Sequence, residues 1–155
     1  EAARQRSRVD RGWPRVKFVL DASVTASWLL ADGNDVDAEA SIALLQKLRG
    51  PDAQAIVPVT WSLEIANVLA RSESKGVLTE NQTQAFIGLL VQLPIVVDAD
   101  TSVQCLTATL DVARRYGLSS YDASYLELSL RTQRPLATFD KHLRRASARA
   151  GVGSV

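Results

Sequence analysis

The sequence predicts a single α/β domain, a three-layer α/β/α sandwich around a mainly parallel sheet. Two observations carry this. From Val16 onward, short apolar runs rich in branched residues alternate with longer segments of helical period, the signature of strands joined by crossover helices. The chain has 155 residues, 46% apolar and 23% charged, which suits one domain with a substantial core.

The elements follow in order. "VKFVL" (16–20) is a buried strand by its length and branching, and "SVTASWLLAD" after it is a short helix. "DVDAEASIALLQKLRG" places apolar residues at 36, 40, 43, 44 and 48 on one helix face, and Gly50-Pro51 stops it. "AIVPV" (55–59) is a second strand, with Pro58 marking its end or an edge. Thr60 is expected to cap a helix that runs to Ser74 and is ended by Gly76. Thr79 and Glu80 open another helix, reaching Leu93, and "PIVV" (94–97) is a third strand. Val103, Leu106, Leu110 and Ala113 mark one face of the next helix, ended by Gly117. Ser119 or Ser120 caps a helix to Thr132, "PLATF" (135–139) is the fourth strand, and Lys141 to Ala150 is a helix. "VGSV" at 152–155 offers a last strand.

Composition narrows the function classes. No apolar run approaches the ~20 residues that cross a bilayer, so no membrane role is expected. Residues 1–15 lack the apolar stretch of a secretory signal. They are read as a basic N-terminal extension with little order, and residues 16–155 as the domain proper. That extension carries five arginines against two acids, a net of +3, so with a total of +1 the remainder sums to −2. Any polyanion bound by the body must therefore meet a local patch. The single cysteine, Cys105, has no internal partner, which fits a reducing cytoplasm. One histidine and one cysteine exclude both a two-imidazole nuclease and a closed zinc site within one chain. No glycine-rich phosphate loop is present.

In a parallel sheet, ligands bind outside the carboxyl ends of the strands. The residue after each strand is thus informative. Asp21 follows the first strand and Asp140 the fourth. Glu64 interrupts an apolar helix face in "TWSLEIANVLA", and Asp122 stands in the first turn of "SSYDASYLELS". All four can face one rim. Three also have an ordinary reading, as a helix cap for Asp21 and Asp140 or as a dipole-favoured residue for Asp122, whereas Glu64 is the hardest to dismiss among its apolar neighbours Leu63, Ile65, Ala66 and Val68. Asp98 also follows a strand and is read as a turn or cap residue. Two carboxylates ~4 Å apart repel by roughly 4 kcal/mol at an effective dielectric near 20, so a cluster needs protons or a cation. All-oxygen ligands favour Mg²⁺ or Mn²⁺.

Four stretches jointly resemble the PIN-domain nucleases, and within them the VapC-type toxins of bacterial toxin–antitoxin pairs. They are "FVLDAS" (18–23), "LEIANVLAR" (63–71), "LSSYDASYLELS" (118–129) and "PLATFDKHLRRAS" (135–147), in family order across residues 16–155. The resemblance implies a five-stranded sheet and an acidic metal site of Asp21, Glu64, Asp122 and Asp140, with Ser23, Asn67 and Thr138 as polar accessories. It implies metal-dependent hydrolysis of RNA, a tRNA or another structured RNA, with one or two Mg²⁺ or Mn²⁺ ions. Products would carry 5′-phosphate and 3′-hydroxyl ends. It also implies a homodimer, silenced by a small VapB-type antitoxin, with Trp28, Leu29 and Leu30 either in the antitoxin groove or simply in the core. Lys141, Arg144 and Arg145 stand where they can contact substrate phosphates, although charged residues are ordinary on a helix's outer face.

Two rivals remain at this point. A catalytically silent PIN-like module that binds RNA or acts as a scaffold would share the fold. A receiver-like signalling domain would want an acidic pair near its first strand, which "FVLDAS" lacks.

Overall fold

The computed structural model describes residues 16–30 and 37–155. The N-terminal extension therefore lies outside the described residues. In chain order the elements are β1 (Val16–Leu20), α1 (Ala22–Leu30), α2 (Ala38–Arg49), β2 (Ala53–Val57), α3 (Trp61–Ser74) and α4 (Glu80–Gln92). They continue with β3 (Ile95–Val97), α5 (Thr101–Gln104), α6 (Ala108–Tyr116), α7 (Ser120–Thr132), β4 (Leu136–Ala137) and α8 (Lys141–Arg149).

The strands form a sheet of order β3-β2-β1-β4, parallel throughout. Phe18, Val19 and Leu20 are all fully buried. Successive strand residues point to opposite faces, so both faces of β1 are covered. The second cover is largely α7, buried without interruption from Ala123 to Ser129 and packed on β1, β4, α6 and α8. Burial of this kind stabilises by about 25 cal/mol per Å² of apolar surface, which makes these two elements the centre of the fold.

Four differences from the sequence reading have physical causes. The sheet has four strands rather than five. The segment after α8 contributes only an isolated parallel bridge, Ser154 to Leu136. Gly151, at φ 75°, and Gly153 precede Ser154 and supply no side chains to hold a strand. β2 lies two residues earlier than expected because Ala53 and Gln54 pair with Val16 and Lys17, and Pro58 falls just past its end. Thr60 does not cap α3 with its side chain, since its backbone is already helical (φ −71°, ψ −21°). The helix expected through Val103 and Leu106 breaks into α5 and α6. Thr107 leaves helical geometry (φ −123°, ψ −99°) while its hydroxyl bonds to Gln104 O, the competition that threonine brings to a helix interior. Val103 and Leu106 are consequently exposed, at 71% and 85%.

Other local signals act as read. Thr79 and Gln82 form a reciprocal capping box on α4. Ser119 caps α7, and Gly117 ends α6 in the left-handed region at φ 66°.

Candidate active site

Leu20 pairs with Ala137 at the carboxyl ends of β1 and β4, and Asp21 N–H donates to Ala137 O at 3.0 Å. This fixes Asp21 at the sheet edge, 5% exposed. Its Oδ2 accepts two hydroxyl hydrogen bonds, from Ser23 Oγ at 2.5 Å and Thr138 Oγ1 at 2.6 Å. Each hydroxyl in turn accepts from backbone. Phe139 N–H donates to Ser23 Oγ at 3.0 Å, and Asp140 N–H donates to Thr138 Oγ1 at 3.1 Å. Two small side chains thus bind the Asp21 carboxylate and the β4–α8 turn into one unit.

Glu64 projects from α3, and Tyr125 on α7 donates its phenol hydrogen to Glu64 Oε2 at 3.0 Å. The Glu64 Oε1 atom is buried with no hydrogen-bond partner. The Thr60 hydroxyl lies close enough to favour the ionised carboxylate, but it too has no partner of good geometry. Asp122 Oδ2 accepts from Ser119 Oγ at 2.8 Å, and Asp122 N–H donates back to Ser119 Oγ at 3.1 Å.

The electrostatics tie three of these acids together. Burial pushes the Asp21 carboxyl above its ordinary range, and the Asp122 charge adds to the push against the Ser23 and Thr138 hydrogen bonds. Burial likewise raises Glu64 to about 6, with the charges of Asp21 and Asp122 adding and the Tyr125 bond opposing. Burial, then the charges of Asp21 and Glu64, hold the Tyr125 phenol protonated far above its ordinary range. None of the ion pairs among the described residues involves Asp21, Glu64 or Asp122.

Asp98 provides the contrast. It too follows a strand, but Arg131 clamps it at 2.7 and 3.3 Å, and the Thr101 hydroxyl donates to it at 2.7 Å. Although burial opposes them, these bonds hold Asp98 below its ordinary range. Arg131 also bonds Glu127, 4% exposed, at 2.8 Å. This is a cation-paired structural cluster, in keeping with the turn role read for Asp98.

The remaining predicted residues divide. Asp140 Oδ1 accepts from Leu143 N–H at 2.7 Å, so this exposed carboxylate caps α8. Asn67 is exposed on α3 and makes no hydrogen bond to the other site residues. Lys141 and Arg145 are exposed on α8. Arg144 is tied back, donating to Thr138 O at 3.1 Å and lying 3.6 Å from Asp37. Trp28 donates its indole hydrogen to Ser41 O at 3.0 Å and packs with Leu29 against the core, while Leu30 is 36% exposed.

Asp21, Glu64 and Asp122 offer only oxygen donors, one of them an orphaned buried Oε1, which fits a hard divalent cation. Among the described residues, however, no three His, Cys, Asp or Glu side chains stand together in a ready ligand set. Sequence reasoning missed Tyr125, whose only signal was its place one turn after Asp122 on the same helix face.

A parallel α/β/α sandwich with acids gathered at the carboxyl edge defines a class of fold and site. The comparisons make it specific. The PIN domain family matches residues 18–149, and the chain belongs to that family. In sequence it is similar to Ribonuclease VapC3 of Pyrobaculum aerophilum, 25% identical over 128 residues, which cover 83% of this chain and 92% of the relative. In structure it is similar to PAE2754 from the same organism, with TM-score 0.60 and 18% identity over 93% of this chain and 91% of the other. It is also similar to FitAcB from Neisseria gonorrhoeae, with TM-score 0.56 and 19% identity over 88% and 95%. The resemblance drawn from the four sequence stretches is borne out.

Proposed function

We propose that this chain is a Mg²⁺- or Mn²⁺-dependent endoribonuclease, the toxin of a toxin–antitoxin pair. A single observation carries the reading. Burial and the Asp122 charge raise Asp21 at the end of β1, burial and the charges of Asp21 and Asp122 raise Glu64 on α3, no ion pair among the described residues meets these acids, and one buried carboxylate oxygen has no partner. Family membership and the similarity to a named ribonuclease point to RNA as substrate.

Asp21, Glu64 and Asp122 would hold the ion. When bound, it supplies a Lewis acid for the phosphoryl group and an acidified water for the attack. The chain's own residues do the rest. Ser23 and Thr138 aim Asp21, Ser119 aims Asp122, and Tyr125 aims Glu64. Asp140 holds the start of α8, from which Lys141 and Arg145 reach substrate phosphates. The reading extends to a VapB-type antitoxin, a homodimer and a cytoplasmic setting. The groove between α3 and α4 lined by Ala66, Leu69, Ile87, Leu90 and Val91 supports a protein partner. No helix among the described residues is long and apolar enough to cross a membrane.

A second reading, a silent PIN-like RNA-binding or scaffold module, is favoured by the lack of a ready three-residue ligand set. One assay separates the two. Purified, partner-free protein should cut RNA with Mn²⁺, stop in EDTA, and be inactive as Asp122→Asn. Cutting that persists in EDTA rejects the metal role, and binding without cutting across a broad RNA pool selects the silent module.

A further inference from the structure

Tyr125 is fully buried on α7, and its hydroxyl reaches across to α3. It donates to Glu64 Oε2 at 3.0 Å, while the backbone N–H of Ala22, the residue after Asp21, lies close enough to favour the ionised phenol. A buried phenol requires a hydrogen-bond partner, and here it comes from α3, the helix that carries Glu64. The consequence for Glu64 is directional. One carboxylate oxygen is held by the phenol, and the other, Oε1, is buried and left without a partner.

We propose that Tyr125 is a positioning residue for the divalent cation site, locking the Glu64 carboxylate so that Oε1 is presented as a metal-donor oxygen. This rests on the metal reading above. Without the phenol, Glu64 turns freely about its terminal torsion, and part of its time is spent with no oxygen aimed at the site. Groups that orient a metal ligand typically account for 10–100-fold in metal affinity. The sequence separation of 61 residues between Tyr125 and Glu64 makes this bond a cross-link between α7 and α3 as well.

The test is Mn²⁺ binding, measured by electron paramagnetic resonance titration in the absence of RNA. Tyr125→Phe should bind Mn²⁺ roughly tenfold more weakly than wild type. Glu64→Gln should bind more weakly still, and adding Tyr125→Phe to it should cost nothing further, as expected when one residue acts through the other. A purely structural role would lower the thermal midpoint of Tyr125→Phe without changing its Mn²⁺ affinity below that midpoint, and this overturns the proposal. A measurement on wild type removes the dependence on a folded variant. The ¹³Cζ resonance of Tyr125 should shift on Mg²⁺ addition, and not in Glu64→Gln. A resonance that ignores Mg²⁺ while the ion binds also overturns it. If wild type binds neither ion, the metal reading itself falls and takes this inference with it. Equal binding by wild type and Tyr125→Phe removes only the inference.

Discussion

Thr138 donates its hydroxyl hydrogen to Asp21 Oδ2 at 2.6 Å, joining two residues 117 positions apart. The bond closes the end of β4 onto the end of β1, at the point where Asp140 N–H also leans on the same hydroxyl. Removing it leaves a buried carboxylate short of a donor and a backbone N–H short of an acceptor. Thr138→Val should therefore destabilise the protein by about 2 kcal/mol, the range for hydrogen bonds to charged groups. Ser23→Ala should act similarly, and the two should not add, because both hydroxyls serve one oxygen. Urea unfolding of the two single variants and the double variant checks this, and simple additivity would show the hydroxyls to be independent.

Glu64 makes stability depend on pH in a direction opposite to ordinary acid denaturation. Its carboxyl is raised by burial from 4.5 to about 6, with the charges of Asp21 and Asp122 adding. The folded protein therefore holds the proton more tightly than the unfolded chain. That contribution is fully present below pH 4.5 and is lost as pH rises to about 6. Asp21, also raised, adds in the same sense. In metal-free buffer, Glu64→Gln should gain in urea midpoint over wild type across this window while losing Mn²⁺ binding. Midpoints that run parallel from pH 4 to 7 would contradict the raised carboxyl.

Much of this was legible in the chain. The alternation of apolar runs and helical periods placed every helix except the split between α5 and α6. There the apolar spacing of Val103 and Leu106 was honest for a helix but silent about the Thr107 break, which is a contest between hydroxyl and backbone. Asp21 was visible because it ends the first strand, Glu64 because it interrupts an apolar helix face, and Asp122 because it stands in the first turn of its helix. Ser23 and Thr138 came from the family resemblance, and the structure then set both against Asp21. Tyr125 was hidden for the reverse reason, since an aromatic residue inside a buried helix looks like core, and its hydroxyl partner lies 61 residues away. Asp140 lay between the two, because a residue ending a strand and opening a helix is equally placed to cap or to ligate.

That ambiguity at Asp140 can be resolved by substitution. Asparagine caps a helix about as well as aspartate, whereas alanine costs about 1 kcal/mol. Asp140→Asn should leave stability within about 0.5 kcal/mol of wild type. Because its Oδ1 is already engaged by Leu143 N–H, it should reduce RNA cleavage far less than Asp122→Asn does. Equal loss of cleavage in both variants, with stability intact, would make Asp140 a full member of the metal site.

Among the described residues Arg131 holds the most heavily paired cluster, and its role is structural. It bridges Asp98 and the buried Glu127, so Arg131→Ala leaves two acids without their cation. Breaking such a pair from one side costs about 3 kcal/mol. Asp98 is held below its ordinary value of 3.8, so its stabilisation is present above that pH and is lost as pH falls below it. The variant should thus show a shallower acid limb than wild type, together with unchanged Mn²⁺ affinity at pH 7. Weakened metal binding in a still-folded Arg131→Ala protein would tie this cluster to the site after all.

The cations of α8 separate by what they touch. Arg144 is engaged, donating to Thr138 O at 3.1 Å and facing Asp37, whereas Lys141 and Arg145 are exposed. Contacts to phosphate position a strand without reading its sequence, and each one lost flattens the salt dependence of binding. For single-stranded RNA the slope of log affinity against log salt should fall by about 0.7 per contact, so the Lys141→Ala/Arg145→Ala double variant should lose about 1.4. Its KM for RNA should rise while kcat stays near wild type, because neither side chain is part of the carboxylate group. Arg144→Ala should instead lower stability, since it unties the β4–α8 turn from its own backbone carbonyl. Filter binding over a series of salt concentrations, beside steady-state kinetics at low salt, reads both effects. A double variant with an unchanged slope would place the RNA on another face of the domain.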